Sequence, residues 1–397
     1  MSIPTKMPMK TKEYAHLGVY SDLVAVARRT KVLFPLARPG RRTQRLLLKT
    51  LAFDPGPPIP RNVRVHRRWE RDGVAGELVS WSVGYGPHVE AWVLRPAKVK
   101  GPLPGVLALH DHGGFKYFGK EKIADSDAPT PAVLQPFRAQ CYGGRAFANA
   151  LAKEGFTVLV PDVFLWGSRK FPLQVMVRAS WRQIEIFDDR ILNPSSEQVN
   201  LYNDLAASFE HTIEKYLTVL GTTLSGVISY EDRVAANYLV RRKDVAPGGI
   251  GCVGLSGGGL RSVLLQATCA HVRAAVVVGL MSTYEGSLDH NIFCHTWACF
   301  PRGWTMHGDW PDIAACRAPS PLLVQYDLQD QLFTLEGMQA ADRRLRSHYA
   351  AAGAPENYEG RFYPGPHKFD LIMQKDAFAW LDRHLKSQRG GHSRKIR

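Results

Sequence analysis

The sequence predicts an α/β protein with a mostly parallel central sheet and helices on both faces. Short, continuously apolar runs alternate with segments of helical spacing over most of the chain, which is typical of parallel strands buried on both faces. The composition, with 45% hydrophobic and 22% charged residues, is that of a folded globular protein and excludes disordered, collagen-like and coiled-coil chains. The length of 397 residues favours one large domain with an extension.

The first part of the chain differs from the rest in its pattern. Helical spacing of apolar residues predicts helices within 17–36 and 43–53, and the run DPGPPIP at 54–60 ends this pattern. We therefore expect residues 1–60 to be a helical N-terminal extension. Short strands follow at 63–69, 77–83 and 89–96, the last two joined by a hairpin across Gly84–Pro87, which predicts an antiparallel entry into the sheet.

Residues 61–387 are predicted to form the α/β domain. Its further strands are expected at 105–109, 156–160, 250–254, 274–279, 321–326 and 358–363, and its helices at 143–154, 231–241, 260–270, 337–349 and 375–385. The segment at about 163–230, with a helical patch at 202–220, is too long for a simple connection. We interpret it as an insertion over the carboxyl edge of the sheet, where ligands bind in such folds.

The net charge of +15 lies entirely at the two ends of the chain. Residues 1–50 carry a net charge of +9 and residues 383–397 a net charge of +6, so the body between them is neutral. No nucleic-acid-binding motif accompanies these charges, and we expect no nucleic-acid partner. We interpret the ends, including the basic C-terminal tail 388–397, as solvated segments or subunit contacts. Weak binding to polyanions and a homo-oligomer both stay open.

Other features indicate the compartment. No apolar run approaches the roughly 18 residues of a membrane span, and the N-terminus lacks the apolar core of a secretory signal. The six cysteines show no C-x-x-C spacing. We therefore expect a cytoplasmic protein.

The strongest motif is Gly254-Leu-Ser256-Gly-Gly258. It follows an apolar strand directly and precedes a predicted helix, which is the strand–turn–helix context of a nucleophile elbow. Small residues two positions before and after the serine allow strand and helix to approach closely. The alternative is a plain glycine-rich turn or a phosphate-binding loop, although the spacing G-x-G-x-x-G is not matched. Ser256 is the predicted nucleophile.

A serine nucleophile needs a base, and the base needs an acid that orients it. His367 lies in a turn-rich loop, YPGPHKF, between the last strand and the last helix. Asp330 follows the strand PLLVQY, so both residues are expected at the carboxyl edge of the sheet. The order Ser256, Asp330, His367 is that of a hydrolase triad. Asp327 is the alternative acid, although a capping role suits it better.

These residues resemble the α/β-hydrolase superfamily, and within it the dienelactone hydrolase-like and acetyl xylan esterase-like esterases. The resemblance covers about residues 60–387. It rests on the segments LHDHGG (109–114), VLVPDVFLWG (158–167), GLSGGG (254–259), PLLVQYDLQDQLF (321–333) and YPGPHKFD (363–370). It implies an α/β-hydrolase fold and a serine esterase without a cofactor. In this group the acid usually stands in a G-x-x-D pattern, which favours Asp330, with Asp327 at the glycine position. Dienelactone hydrolases themselves use a cysteine, where this chain has Ser256.

An oxyanion hole requires two backbone N–H groups. One is expected from Gly257, directly after the nucleophile, and the resemblance assigns the other to His112. In related esterases a glycine precedes this donor, whereas this chain has Asp111. The sequence His110-Asp-His112 also permits a metal pair, but no further ligand motif is visible. We therefore expect no metal.

Three aromatic or imidazole side chains are weaker candidates for the substrate pocket. They are Trp166 after the strand at 156–160, and His295 and Trp304 in the long loop 282–312. This loop is either a pocket wall or a subunit contact. The combined prediction is a serine hydrolase that cleaves a small-molecule carboxylic ester, with a lactone, an amide or a C–C bond as alternative substrates. A hydrolase-fold protein that only binds a ligand is the non-enzymatic alternative.

Overall fold

The computed structural model describes residues 14–180, 186–189, 191, 194–290 and 292–386. Nine strands form one sheet in the order β1-β2-β3-β5-β4-β6-β7-β8-β9. The strands are β1 (Arg61–Arg71), β2 (Val74–Ser82), β3 (Val89–Pro96), β4 (Leu103–Leu109), β5 (Thr157–Pro161), β6 (Val245–Leu255), β7 (Val272–Val278), β8 (Leu322–Asp327) and β9 (Tyr358–Tyr363).

The sheet has an antiparallel and a parallel part, as the sequence predicts. Strands β1, β2 and β3 pair antiparallel, and β3 joins the rest by an antiparallel pairing with β5. The six strands β5, β4, β6, β7, β8 and β9 are all parallel. Their carboxyl ends therefore share one edge of the sheet, and the predicted functional residues follow these ends.

In the described part of the chain, twelve α-helices accompany the sheet. They are α1 (Leu23–Thr30), α2 (Arg41–Leu51), α3 (Leu134–Tyr142), α4 (Phe147–Lys153), α5 (Leu173–Ser180), α6 (Ser196–Val219), α7 (Leu224–Val240), α8 (Gly257–Thr268), α9 (Tyr284–Leu288), α10 (Trp310–Ala315), α11 (Leu335–Ala351) and α12 (Leu371–Leu385) among the described residues. Short 3₁₀ turns lie between them, including Lys120–Lys122 and Trp297–Cys299.

Several predicted helices differ in extent from those observed, including 231–241, which covers only the C-terminal part of α7. The segment 143–154 is helical only over α4, because α3 ends at Tyr142 and α4 begins at Phe147 and ends at Lys153. Gly143 and Gly144, with φ of 64° and 79°, turn the chain between them in the left-handed region that glycine tolerates. The predicted helix 17–36 is only the short α1, preceded by a 3₁₀ turn over Ala15–Tyr20 and followed by extended chain from Lys31.

The core lies on both faces of the sheet, as continuous apolar strands require. Along β4, Leu107 and Leu109 pack into one buried cluster, and Val106 and Ala108 pack into the cluster on the opposite face. Because β4 is buried on both faces, the position of the loop that follows it at the carboxyl edge is well defined. Within the described part of the chain, no helix has the length and apolar character needed to cross a membrane.

Candidate active site

Ser256 occupies a strained turn between β6 and α8. Its φ and ψ are 57° and −117°, a conformation that costs a residue with a side chain about 1–3 kcal/mol and is often found at functional sites. The Ser256 N–H donates to the Val278 carbonyl at 2.8 Å, which ties the turn to the end of β7. This is the geometry that the motif at 254–258 predicts.

The glycines around Ser256 are required by the close approach of strand and helix. A Cβ at Gly254 would lie 2.5 Å from the carbonyl oxygen of Leu109, and one at Gly258 would collide with the same carbonyl. A Cβ at Gly257 would lie 2.5 Å from the backbone nitrogen of His112. The turn at Ser256 therefore packs directly against the loop that leaves β4.

Asp330 and His367 meet at the same edge. The His367 Nδ1 donates to Asp330 Oδ2 at 2.7 Å, and the other carboxylate oxygen of Asp330 accepts from the Leu332 N–H at 2.8 Å. The His367 ring packs on Gly279, where a Cβ would lie 3.0 Å from His367 Cε1. Because Gly279 follows Val278, which accepts from Ser256, the imidazole is adjacent to the strained turn. Its Nε2 is buried and has no hydrogen-bond partner among the described residues.

The pKa of His367 is raised above its ordinary value of 6.5. Burial alone would lower this pKa, but the hydrogen bond and charge of Asp330 outweigh it, with smaller contributions from Asp327 and Asp111. A carboxylate that binds Nδ1–H also fixes the tautomer, so the lone pair of the neutral ring is on Nε2. The pair is therefore arranged to take up a proton at Nε2.

Asp327, the alternative acid, does not contact the His367 ring by a hydrogen bond in this structure. Its Oδ2 accepts from the Lys368 N–H at 3.1 Å, and its Oδ1 is buried without a partner among the described residues. Burial raises the pKa of Asp327 to about 7. Asp327 thus holds the backbone of the His367 loop, which is the capping role expected for it.

The loop after β4 brings His112 beside Gly257. The His112 carbonyl accepts from the Phe115 N–H at 3.1 Å and from Trp166 Nε1 at 3.3 Å. The His112 N–H donates to no described residue. On its ring, Nδ1 accepts from the Gly114 N–H at 3.0 Å, so Nε2 carries the proton.

Glu210 is a residue of this site that sequence reasoning missed. It lies on α6, and its carboxylate accepts from His112 Nε2 at 3.2 Å, from Thr296 Oγ1 at 2.6 Å and from the ammonium of Lys116. Although burial opposes it, the hydrogen bonds of His112 and Lys116 lower the pKa of Glu210. One buried carboxylate therefore joins α6, the loop after β4 and the loop 282–312. The sequence does not single out Glu210, because α6 also carries Asp204 and Glu214.

The three predicted pocket residues have different positions. The Trp166 ring lies edge-on to the His112 ring, with centroids 5.1 Å apart. The His295 ring stacks on Phe333 at 4.7 Å, and its Nε2 is buried without a partner among the described residues. Burial lowers the pKa of His295. Trp304 is completely buried and donates to the Asp309 carbonyl at 3.1 Å, which is the position of a packing residue and not of a pocket wall.

Two cavities lie along this edge of the sheet. A small one of about 20 Å³ is lined by His112, Gly257, Trp166, Thr296 and Ala298, among others. A large cleft of about 1430 Å³ lies beside β2 and β3, and neither cavity has Ser256, Asp330 or His367 in its walls. The small cavity holds about one water-sized group and adjoins both predicted oxyanion donors.

In the described parts of the chain, side chains that could bind a metal ion come together at one place. Ligand atoms of Asp327, Asp330 and His367 lie within 4.8 Å of one another. Two of these atoms are hydrogen-bonded to each other at 2.7 Å, so an ion that bound both would have to displace the proton of His367 Nδ1 and break this bond. His110 and His112, the alternative metal pair, do not belong to such a group, and the His112 ring is held by Glu210 and Gly114.

This architecture is the α/β-hydrolase fold. Solved structures of the same fold include a "putative acetyl xylan esterase" from Bacteroides fragilis, with a TM-score of 0.62 and 18% identity, covering 87% of this chain and 82% of that one. An acetyl xylan esterase from Paenibacillus sp. R4 has a TM-score of 0.53 and 14% identity, covering 89% and 98%. A glucuronoyl esterase from Solibacter usitatus has a TM-score of 0.56 and 13% identity, covering 87% and 92%.

Comparison of the sequence gives a similar result. The Bacillus subtilis (strain 168) protein named "Putative hydrolase YtaP" is 23% identical over 333 residues, which cover 82% of this chain and 93% of that protein. No protein-family model matches the chain. The predicted resemblance to acetyl xylan esterase-like proteins is confirmed for the fold.

Proposed function

We propose that this protein is a serine hydrolase that cleaves carboxylic esters. Ser256 Oγ attacks the acyl carbon while His367 Nε2 takes its proton, and the same imidazolium then protonates the departing alcohol. Water attacks the resulting acyl-enzyme with His367 again as the base, which releases the acid and restores Ser256. Asp330 orients His367 and stabilises its charged form.

The observation that carries this proposal is the hydrogen-bonded pair of Asp330 and His367 beside the strained turn of Ser256. The raised pKa of His367 gives a stronger base than a free imidazole. A ligand-binding protein has no need for a strained serine, an orienting carboxylate and a buried, unpartnered imidazole nitrogen at one point. The names of the structural neighbours, which are esterases, support the same reaction class.

The N–H groups of His112 and Gly257 complete the proposed site. They belong to two segments that touch, and the His112 N–H donates to no described residue. Two such donors stabilise the negative oxygen that forms when Ser256 attacks, and each is worth roughly 10²- to 10³-fold in kcat in related chemistry. No cofactor is required for these steps.

We further propose that the acyl group is short. The cavity of about 20 Å³ beside His112 and Gly257 has room for a group the size of a methyl, and the buried Trp166 closes one side. In p-nitrophenyl esters, we expect kcat/KM to fall by about tenfold or more from acetate to butyrate, because each added methylene overpacks the cavity. A series that rises with chain length, measured at equal substrate solubility, would contradict this assignment. Trp166→Ala, which enlarges the cavity, should reduce the difference between the two esters.

The pH dependence follows from the pKa of His367. The base must be neutral, so kcat/KM should fall as the pH drops through a value above the ordinary 6.5 of histidine. Asp330→Asn removes the largest influence that raises this pKa, and burial then dominates, so the acid limb of its profile should move to lower pH. Both profiles are measured on p-nitrophenyl acetate after subtraction of spontaneous hydrolysis. A wild-type midpoint below 6.5, or an unmoved limb in the variant, would be inconsistent with this pairing.

A panel of substrates separates the remaining alternatives. Lactones, amides and substrates with an activated C–C bond could be cleaved by the same residues. The panel therefore contains p-nitrophenyl esters, sugar acetates, lactones and amides, each tested with wild type and with Ser256→Ala. Turnover of amides or lactones at least tenfold faster than of every ester would replace the ester assignment. A wild type that turns over none of them would favour the ligand-binding alternative.

A further inference from the structure

The peptide that joins Asp111 to His112 has both of its polar groups in defined places. In a trans peptide the N–H and the C=O point in opposite directions. The N–H of this peptide belongs to His112 and lies beside Gly257. The carbonyl on the other side belongs to Asp111, and it accepts from Lys122 Nζ at 2.5 Å and from His110 Nδ1 at 3.0 Å.

Lys122 is completely buried behind this peptide. Its Nζ lies within hydrogen-bond distance of three oxygens: the Asp111 carbonyl, Asp111 Oδ2 at 3.0 Å and the His112 carbonyl at 3.3 Å. Three acceptors match the three N–H groups of an ammonium. Burial of a lysine costs free energy of desolvation, and its bonds to these oxygens offset that cost. A buried ion pair is therefore weak evidence for a role in stability alone.

Helix α3 holds both partners in place. The Tyr142 hydroxyl donates to Asp111 Oδ1, and the Arg138 guanidinium donates to the carbonyls of Lys122 at 3.1 Å and of Glu121 at 2.6 Å. Arg138 is itself buried. The Lys122 ammonium therefore has little freedom to move relative to the Asp111–His112 peptide.

We propose that Lys122 is a positioning residue that orients and polarises the Asp111–His112 peptide, so that the His112 N–H becomes a strong oxyanion donor. This inference rests on the proposed function. A cationic donor on the carbonyl draws electron density away from the amide, and hydrogen bonds along such a chain strengthen one another. The same bond prevents the peptide from rotating its N–H out of the site. The aspartate at position 111 thus has a function: its carboxylate compensates the charge of Lys122.

The test compares Lys122→Met with the charge-balanced variant Asp111→Asn/Lys122→Met. Hydrolysis of p-nitrophenyl acetate is measured at the pH plateau of each variant, because the charge of Asp111 also acts on His367. Melting temperature and the affinity for a trifluoromethyl ketone, whose adduct carries an oxyanion, are measured alongside. The matched control is Lys120→Met/Asp162→Asn, which removes another buried ion pair of the same 3₁₀ turn, with an Nζ to Oδ2 distance of 2.8 Å.

In both Lys122 variants we expect kcat to fall by about 10- to 100-fold, KM to stay within about threefold, and ketone affinity to fall in parallel with kcat/KM. The double variant should melt closer to wild type than Lys122→Met, while its kcat stays low. The Lys120 control should keep kcat within about threefold. If kcat recovers together with the melting temperature in the double variant, Lys122 only maintains the fold and the inference is overturned. Normal kcat in Lys122→Met overturns it as well, whereas a wild type that cleaves no ester overturns the proposed function itself.

Discussion

Replacement of Ser256 by alanine should abolish most turnover while the protein folds normally. We expect kcat to fall on the order of 10⁴-fold or more, because the members of a triad act as a unit and water is a poor substitute for the lost nucleophile. Alanine fits the site sterically, since its Cβ is already present in serine. The strained φ of 57° stays equally unfavourable for alanine, so stability should change little. Steady-state hydrolysis of p-nitrophenyl acetate and a thermal melt measure both quantities.

A second serine provides the matched control for this experiment. Ser262 lies on α8, is buried, and donates its hydroxyl to the Gly258 carbonyl at 3.0 Å. Ser262→Ala should keep kcat within about threefold, since it removes one ordinary hydrogen bond. A fluorophosphonate reagent should label Ser256 in the wild type and in Ser262→Ala, but should leave Ser256→Ala unlabelled. Full activity in Ser256→Ala would exclude the serine mechanism. An enzyme that EDTA inactivates and a divalent metal restores would revive the metal hypothesis for His110 and His112.

The parts of the site that follow strands directly were predictable from the sequence. A buried parallel strand is a short apolar run, and the residue after it must lie at the carboxyl edge, so Ser256 and Asp330 could be placed without a structure. His367 could be placed because its loop lies between the last strand and the last helix. In each case the signal is local in the sequence. The parallel sheet then brings these distant residues together, because each follows a strand whose carboxyl end lies at the same edge.

The residues that support the loop after β4 could not be predicted in this way. Lys122 lies in the short 3₁₀ turn Lys120–Lys122, and Glu210 lies on α6, in another part of the chain. Their contacts with Asp111 and His112 depend on how separate elements pack together. Hydrophobic periodicity in the sequence does not encode that packing. A buried lysine also looks identical in the sequence to a solvated one. Burial of charge is decided by tertiary contacts, and single-sequence patterns do not contain them.

Helix α3 shows the same limit for the fold. Its residues Leu134–Tyr142 were not predicted as a helix because polar and apolar positions do not separate clearly along it. Its buried face is itself mixed: Leu134, Arg138 and Tyr142 are spaced four residues apart and are all buried, and Arg138 binds three backbone carbonyls in the segment 121–124. A helix that binds a loop through a buried arginine lacks the apolar stripe by which helices are recognised. The helix that binds the segment 121–124 is therefore the one that the sequence pattern did not reveal.

The second large effect tests which carboxylate serves His367: Asp327, the last residue of β8, or Asp330, which follows that strand. Asp330→Asn keeps the shape of the side chain, but an amide nitrogen or an amide oxygen now faces His367 Nδ1. The imidazole loses its orienting charge and can adopt the wrong tautomer, so kcat should fall by roughly 10³- to 10⁴-fold. The present contacts support this assignment, because Asp330 Oδ2 lies 2.7 Å from Nδ1 and its other oxygen is held by the Leu332 N–H.

Asp327→Asn is the matched control, three residues earlier and equally close to the His367 loop. In the wild type the Lys368 N–H lies 3.1 Å from Asp327 Oδ2, and the side-chain oxygen of asparagine can still accept from it. The new amide group replaces Oδ1, which has no partner among the described residues. Burial already raises the pKa of Asp327 to about 7, so a neutral side chain is tolerated there near neutral pH. We expect kcat to fall no more than about tenfold, with a stability change of roughly 1 kcal/mol. If the two variants exchange these effects at matched melting temperatures, Asp327 and not Asp330 is the acid that serves His367.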